Sequence, residues 1–205
     1  MNSTAPVEVP QHPIASAAPA QPAIPSMKEF NRILAPYMKA SWRPAILQLL
    51  NTVLPYLLLV AAMFYSLRFP YWITFLLAVP TAGFLIRIFI IFHDCGHNSF
   101  TPSTKANKWI GLFLGMITLT PSEQWSKSHA IHHATSGNID KRGVGDVDTL
   151  TVNEYQSKNW IEKTGYNLFR FPLIMFGLGP LWMFLISHRF TLPRYGRKET
   201  MSVVW

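Results

Sequence analysis

Charge is what this 205-residue chain has least of. Asp, Glu, Lys and Arg together make up 14% of it, against about 25% in an average globular chain, and they fall in clusters separated by long gaps. That argues for lipid as the solvent of much of the chain. Cysteine is nearly absent too. A lone Cys95 excludes an internal disulfide framework and leaves zinc-ribbon arrangements without ligands. The net charge is +8 with a pI near 9.8, but there is no dense Lys/Arg stripe, which speaks against a nucleic-acid partner. Basic residues flanking apolar runs have a topological explanation instead. No repeat or heptad is present, and the 49% hydrophobic content is by itself ordinary.

Residues 1–27 hold six of the sixteen prolines, many alanines and one charge, Glu8. Such a segment buries too little surface to offset the entropy of ordering, so a disordered tail is expected. It has no basic n-region and no continuous apolar core before Lys28, so it is not a secretory signal. Residues 44–67 then run without a charge, about 36 Å as a helix against a hydrocarbon core of about 30 Å. A second run, 69–92, is interrupted only by Arg87, placed to extend its guanidinium to the headgroups. Arg68 and Pro70 lie between them among Tyr65, Tyr71 and Trp72, the aromatic composition of an interface.

Residues 109–122 are uncharged but too few to cross, and lie in the interface or re-enter the membrane. Residues 134–165 are polar and belong outside the lipid, and 171–187 form a third apolar run at the lower limit for spanning. The fold expected is therefore all-α and integral to the membrane: a transmembrane helical hairpin plus a third span, with cytoplasmic helices beside it. Lys28, Arg32, Lys39 and Arg43 precede the first run, only Arg68 lies in the hairpin turn, and seven basic residues from Lys105 to Lys163 follow the second. This puts the N-terminus and the central loop on the cytoplasmic side. One feature conflicts: a crossing third run would put Arg189, Arg194, Arg197 and Lys198 outside.

Five of the seven histidines form two short groups. His93 and His97, within HDCGH, are an i, i+4 pair about 40° apart on a helix continuing out of the second run. The same stripe runs back through Ile90, Ile86 and Gly83. His129, His132 and His133 follow Thr120-Pro121-Ser122-Glu123, which has the form of a capping box, and precede Gly137, placed to end the helix. Their spacing spreads them over an arc of about 100°. Five imidazoles presented from two helices are a ligand set for iron, copper, nickel or zinc, whereas the isolated His12 and His188 read as ordinary surface or satisfied residues. Adjacent histidines within a three-four spacing rarely serve packing.

HDCGH at 93–97 followed by HAIHH at 129–133 resembles the first two histidine boxes of the membrane fatty acid desaturases. The stretch from His132 through Gly145-Asp146-Val147-Asp148-Thr149 to Tyr155 is similar to bacterial acyl-lipid members. The resemblance covers about residues 30–205. It implies an O2-dependent di-iron enzyme of the bacterial inner membrane that removes two hydrogens from an acyl-lipid or fatty acyl substrate, with electrons from ferredoxin or cytochrome b5. His93, His97, His129, His132 and His133 would be iron ligands, and Gly83, Ile86 and Ile90 would line the acyl passage. The family's third box, again His-x-x-His-His, is not in these 205 residues, where only His188 follows His133. The resemblance therefore implies the N-terminal part of such a domain in residues 28–205, with incompletely liganded irons and further coding sequence beyond Trp205.

Asp94 is placed to orient a ligating imidazole, although an i+1 side chain points away from its own helix's histidines, and a solvated helix-end carboxylate is the equal alternative. Asp146 and Asp148 read as ordinary loop residues and Cys95 as a small packed one. A membrane di-iron hydroxylase would carry the same boxes. A haem-binding electron carrier would place its histidines inside opposed helices rather than doubled at their ends. A catalytically silent truncation is the remaining alternative.

Overall fold

The computed structural model describes residues 26–143, 145, 147–190 and 196–204. Residues 1–25 of the expected tail, with His12, lie outside the described residues, as do Asp146 and Arg194. All regular elements among the described residues are helical. The described residues divide into two compact units, one up to Met38 and one from Lys39 onward.

In the first unit, α1 (Met27–Leu34) begins where Ser26 Oγ accepts the Glu29 N–H at 3.3 Å. Met27, assigned to the tail by composition, thus opens a helix. Glu29 in the first turn and Arg32 in the last complement its dipole.

The second unit is built on α2 (Trp42–Ser66) and α3 (Tyr71–Gly96), about 38 and 39 Å long. Both are long and apolar enough to cross a membrane, and most of their large side chains, such as Leu50, Leu54, Leu58, Phe75 and Val79, face outward. That arrangement is untenable in water and expected in lipid. The chain is an all-α membrane protein. The hairpin is stitched by polar pairs: Ser66 Oγ donates to the Met63 carbonyl and meets Thr74 Oγ1, both at 2.7 Å. Arg87 Nη2 donates to Asn51 Oδ1 at 3.1 Å. The guanidinium expected to reach for the headgroups instead bonds across the hairpin, because a charge in lipid is stabilised by the nearest polar partner. Such interhelical bonds contribute about 0.6 kcal/mol each, so packing holds the hairpin.

α4 (Thr104–Ile117) runs back along α3. Gly111 and Gly115, a small-xxx-small pair, make this possible. A Cβ at Gly111 would stand 3.2 Å from Cys95 Cβ, and one at Gly115 only 2.7 Å from the Thr120 carbonyl. Behind them Ile88, Ile91, Phe92, Cys95 and Leu114 form the buried core. The chain reverses through Leu119, at φ +56, into α5 (Ser122–Thr135). The capping box does not form. Thr120 is buried and its hydroxyl donates to the Thr118 carbonyl at 3.1 Å, so it cannot cap, and the N-cap is Pro121 without a side-chain bond. Gly137, at φ +81, follows the helix end as expected.

Beyond the polar loop come α6 (Val152–Ser157), α7 (Trp160–Phe169), a π turn at Ile174–Leu178, α8 (Gly179–Leu185) and α9 (Arg197–Val204). The third apolar run is not one straight helix. Only joined to α7 does it reach spanning length, with a 62° bend between Trp160–Phe169 and Ile174–Arg189. Pro172 stands at the break, and Pro180 removes an N–H that would continue regular α-helical bonding. The far end of the run is tied to the histidine-bearing side. Arg189 Nη2 donates to the Leu119 carbonyl at 2.7 Å, and Glu199 of α9 pairs with Lys127 of α5 at 2.8 Å. Arg189 and Arg197 therefore lie beside α5, where the conflict raised by a simple crossing does not arise.

Two outcomes follow from this architecture. Single cysteines at Arg68 and Ser157 should react with an impermeant maleimide from opposite faces of a sealed vesicle, since the turn and the polar loop sit at opposite ends of α3. Gly115→Ala should lower unfolding stability in micelles by about 1–3 kcal/mol. Gly83→Ala, where the added Cβ meets open space, should not.

Candidate metal centre

The last turn of α3 supplies His93 and the residue capping it, His97, and α5 supplies His129 and His133. The two i, i+4 pairs face each other and converge on His129. Its Nε2 lies 2.9 Å from His93 Nε2, 3.1 Å from His97 Nε2 and 3.0 Å from His133 Nε2. One ring nitrogen from each of the four lies within 4.8 Å of the others. With metal–nitrogen bonds of about 2.1 Å, neighbouring ligands of one ion stand roughly 3.0–3.4 Å apart, so the donor set fits a transition metal.

The fifth histidine is not in that group. His132 lies on the other side of His129, because a step of three residues turns back about 60° where a step of four advances about 40°. Its ring is 5.8 Å from those of His129 and His133, and the backbone of Gly145 packs over it. A Cβ at Gly145 would come within 3.1 Å of His132 Cβ, and φ there is +75. The loop carrying Gly145 is pinned by an Arg142–Glu154 ion pair and by Arg170 Nη1 donating to the Asp148 carbonyl at 2.8 Å. The Thr151 N–H first, and then Arg142, hold the Glu154 carboxyl down at about 2.

Asp94 touches the site after all. Its Oδ1 lies 3.1 Å from His93 Nδ1. An i+1 carboxylate cannot reach histidines a turn away, but at the helix end it reaches the ring beside it. A proton on Nδ1 then leaves the Nε2 lone pair of His93 facing the cluster. Burial first, and then the neighbouring imidazoles, push His129 down to about 4. His97 is lowered for the same reasons, so these two rings are held in the neutral form that binds metals.

One turn back along α3 from His93 an apolar cavity of about 360 Å³ opens between α3, the α4–α5 turn and α8, lined by Leu85, Ile86, Phe89, Ile117, Leu181 and Phe184 among others. Of the passage residues expected from sequence, only Ile86 lines it. Gly83 faces open space and Ile90 is 48% exposed. The half-buried stripe that lines the cavity steps back from His93 by four, through Phe89 and Leu85, whereas the expected one begins with a step of three, to Ile90. Cys95 is buried as expected, and His188 packs on Phe184 at 5.4 Å, outside the four-histidine group. Trp125 escaped the sequence reading. It stacks on His129 at 4.3 Å, and the signal available was its place four residues before that histidine, as Phe89 stands four before His93.

The family model for fatty acid desaturases matches residues 66–205. The chain belongs to the fatty acid desaturase family. It is 45% identical to a fatty acid desaturase of Bacillus subtilis (strain 168) over 85% of this chain and 50% of that protein. It is 31% identical to an endoplasmic-reticulum omega-3 fatty acid desaturase of Vigna radiata var. radiata over 76% of this chain and 40% of that one. A third relative is an sn-1 acyl-lipid omega-3 desaturase (ferredoxin) of Synechocystis sp., 40% identical over 47% of this chain and 25% of that one. The chain thus spans about half the length of the Bacillus relative, and less of the others. No solved structure matches it. Both histidine boxes, the cavity and the bent third segment of this desaturase-family chain fall inside the matched region.

The lowered His129 value carries a sign. An unfolded chain takes up this proton near pH 6.5 and the folded chain resists until about pH 4, so acidification between those values favours unfolding. The thermal midpoint of the metal-free chain should fall across that window, and His129→Asn should flatten the fall.

Proposed function

We propose that this chain is the two-box portion of an O2-dependent acyl desaturase, its histidines holding iron at the cytoplasmic face of a bacterial inner membrane. The observation that carries the reading is the convergence of four ring nitrogens one turn of α3 from the wall of an apolar cavity, in a chain of this family. Iron bound there would supply the oxidising power to abstract two hydrogens from an unactivated acyl segment. O2 would take four electrons, two from the substrate and two from a carrier, and leave as two waters.

The chain's own residues do the rest. His93, His97, His129 and His133 present one set of donors, and His132, on the adjoining face of α5, is proposed as a donor to the second iron. Asp94 Oδ1 accepts the His93 Nδ1 proton and fixes that ring's orientation. Leu85, Ile86, Phe89, Leu181 and Phe184 offer an acyl chain an apolar trough whose wall begins one turn from His93. Two irons with positions left open for O2 need more donors than five imidazoles, so the proposal includes a further histidine group from outside these residues. The ferredoxin-type acyl-lipid relatives support an acyl-lipid substrate and a ferredoxin-type donor. The basic residues around the central loop support the cytoplasmic placement.

Expression of the whole reading frame in a host without desaturases, followed by mass spectrometry of its lipids, tests this. Acyl chains with one added double bond are expected, and His93→Ala and His129→Ala should abolish them. Hydroxylated chains would overturn the desaturase assignment, and an unchanged profile with no bound iron would leave the silent alternative.

A further inference from the structure

Two residues that ligate nothing bear on the centre. Trp125 lies flat against His129, the rings 4.3 Å apart and inclined by 17°, and its edge meets His93 at 5.7 Å. His129 is the imidazole to which the other three come within about 3 Å, so whatever orients it orients the group. The indole is fixed in turn: Phe89 stands edge-on to it at 5.7 Å and Phe92 packs at 4.8 Å. On its remaining side lies Gly96, the non-ligating glycine inside the first box. A Cβ there would stand 3.1 Å from Trp125 Cζ3 and 3.3 Å from Ser126 Oγ, closer than ordinary carbon contacts. Gly96 sits at φ within the helix, so the glycine is not required by backbone conformation. What it provides is room.

We propose that Trp125 is a positioning residue for the metal centre, setting the tilt of His129 by stacking, and that Gly96 is glycine because the indole occupies the space a side chain would need. The inference rests on the reading that these histidines hold a metal. Stacking leaves the imidazole one plane in which to sit, so its Nε2 stays aimed where the other three nitrogens meet. Without the indole the ring is free to turn about χ2, and the ion loses its common donor.

The test uses the purified product of the whole reading frame in lipid nanodiscs, titrated with Co2+ and followed by its visible ligand-field bands, beside Trp125→Leu, Trp125→Phe, Gly96→Ala and His129→Ala. His129→Ala should lose binding, which checks the metal reading alone. Trp125→Leu should weaken Co2+ about 10- to 100-fold, the usual range for residues that orient a ligand, and shift the bands. Trp125→Phe, which keeps a flat ring, should restore most of the affinity. Gly96→Ala should weaken binding while its helicity holds or rises, since alanine is the better helix former; a purely structural role would move both the same way. In the metal-free protein, the His129 Cε1–H resonance should be shifted upfield by the indole ring current and return in Trp125→Leu. Wild-type affinity and unchanged bands in both Trp125→Leu and Gly96→Ala would overturn the proposal while leaving the metal reading intact. Absence of Co2+ binding by the unsubstituted chain would overturn the metal reading and this inference with it.

Discussion

The contact between the last turn of α3 and the middle of α5 sets the position of most other parts. Four imidazoles meet there nitrogen to nitrogen, and burial and the neighbouring rings oppose protonation of His129 and His97. To hold such groups together the chain must bring two helices close, the last turn of α3 and the middle of α5. α4 accomplishes this. By returning along α3 with glycines at the contact, it delivers the start of α5 beside Phe92, and α5 then climbs back past Trp125 to the level of His93 and His97.

The boundary runs through the middle of this unit. Below it, α2 and α3 turn leucines and phenylalanines outward, and the few polar groups find partners on the neighbouring helix, as Arg87 does on Asn51. Above it, the polar loop is laced by ion pairs and two capping boxes, at Thr151 and Asn159. The histidines occupy the step between these regimes, one turn of α3 from the wall of an apolar trough.

The periodic features were legible in the sequence. Uncharged runs of spanning length became α2 and α3, and the i, i+4 spacings put His93 with His97 and His129 with His133 on common faces. What escaped depends on which neighbour arrives. His132 fell inside the same arc as its companions, yet only the approach of α3 from one side decides that it points away. The stripe leading from His93 was traced through Ile90, where the cavity wall runs through Phe89 and Leu85, because α5 and α8 pack on that face. Gly111 and Gly115 carried a packing signal that reads only once α3 is known to lie against them. For Asp94 the sequence offers the orienting and the solvated roles equally, and only the ring beside it at the helix end decides between them.

The π turn at Ile174–Leu178 has a further consequence. Such a turn holds one residue more than the α turn it replaces, so the chain after it is rotated by about 100° relative to an uninterrupted helix. Leu181 and Phe184 face the trough, and Arg189 finds the Leu119 carbonyl, in that rotated phase. Loss of a single residue from the turn would swing this row toward the lipid and bring different side chains to the cavity wall, with every remaining amino acid unchanged. The wall of the trough is thus specified by a count of residues as much as by their identity, and length variation at this one turn is a route by which related chains can reshape the space it encloses.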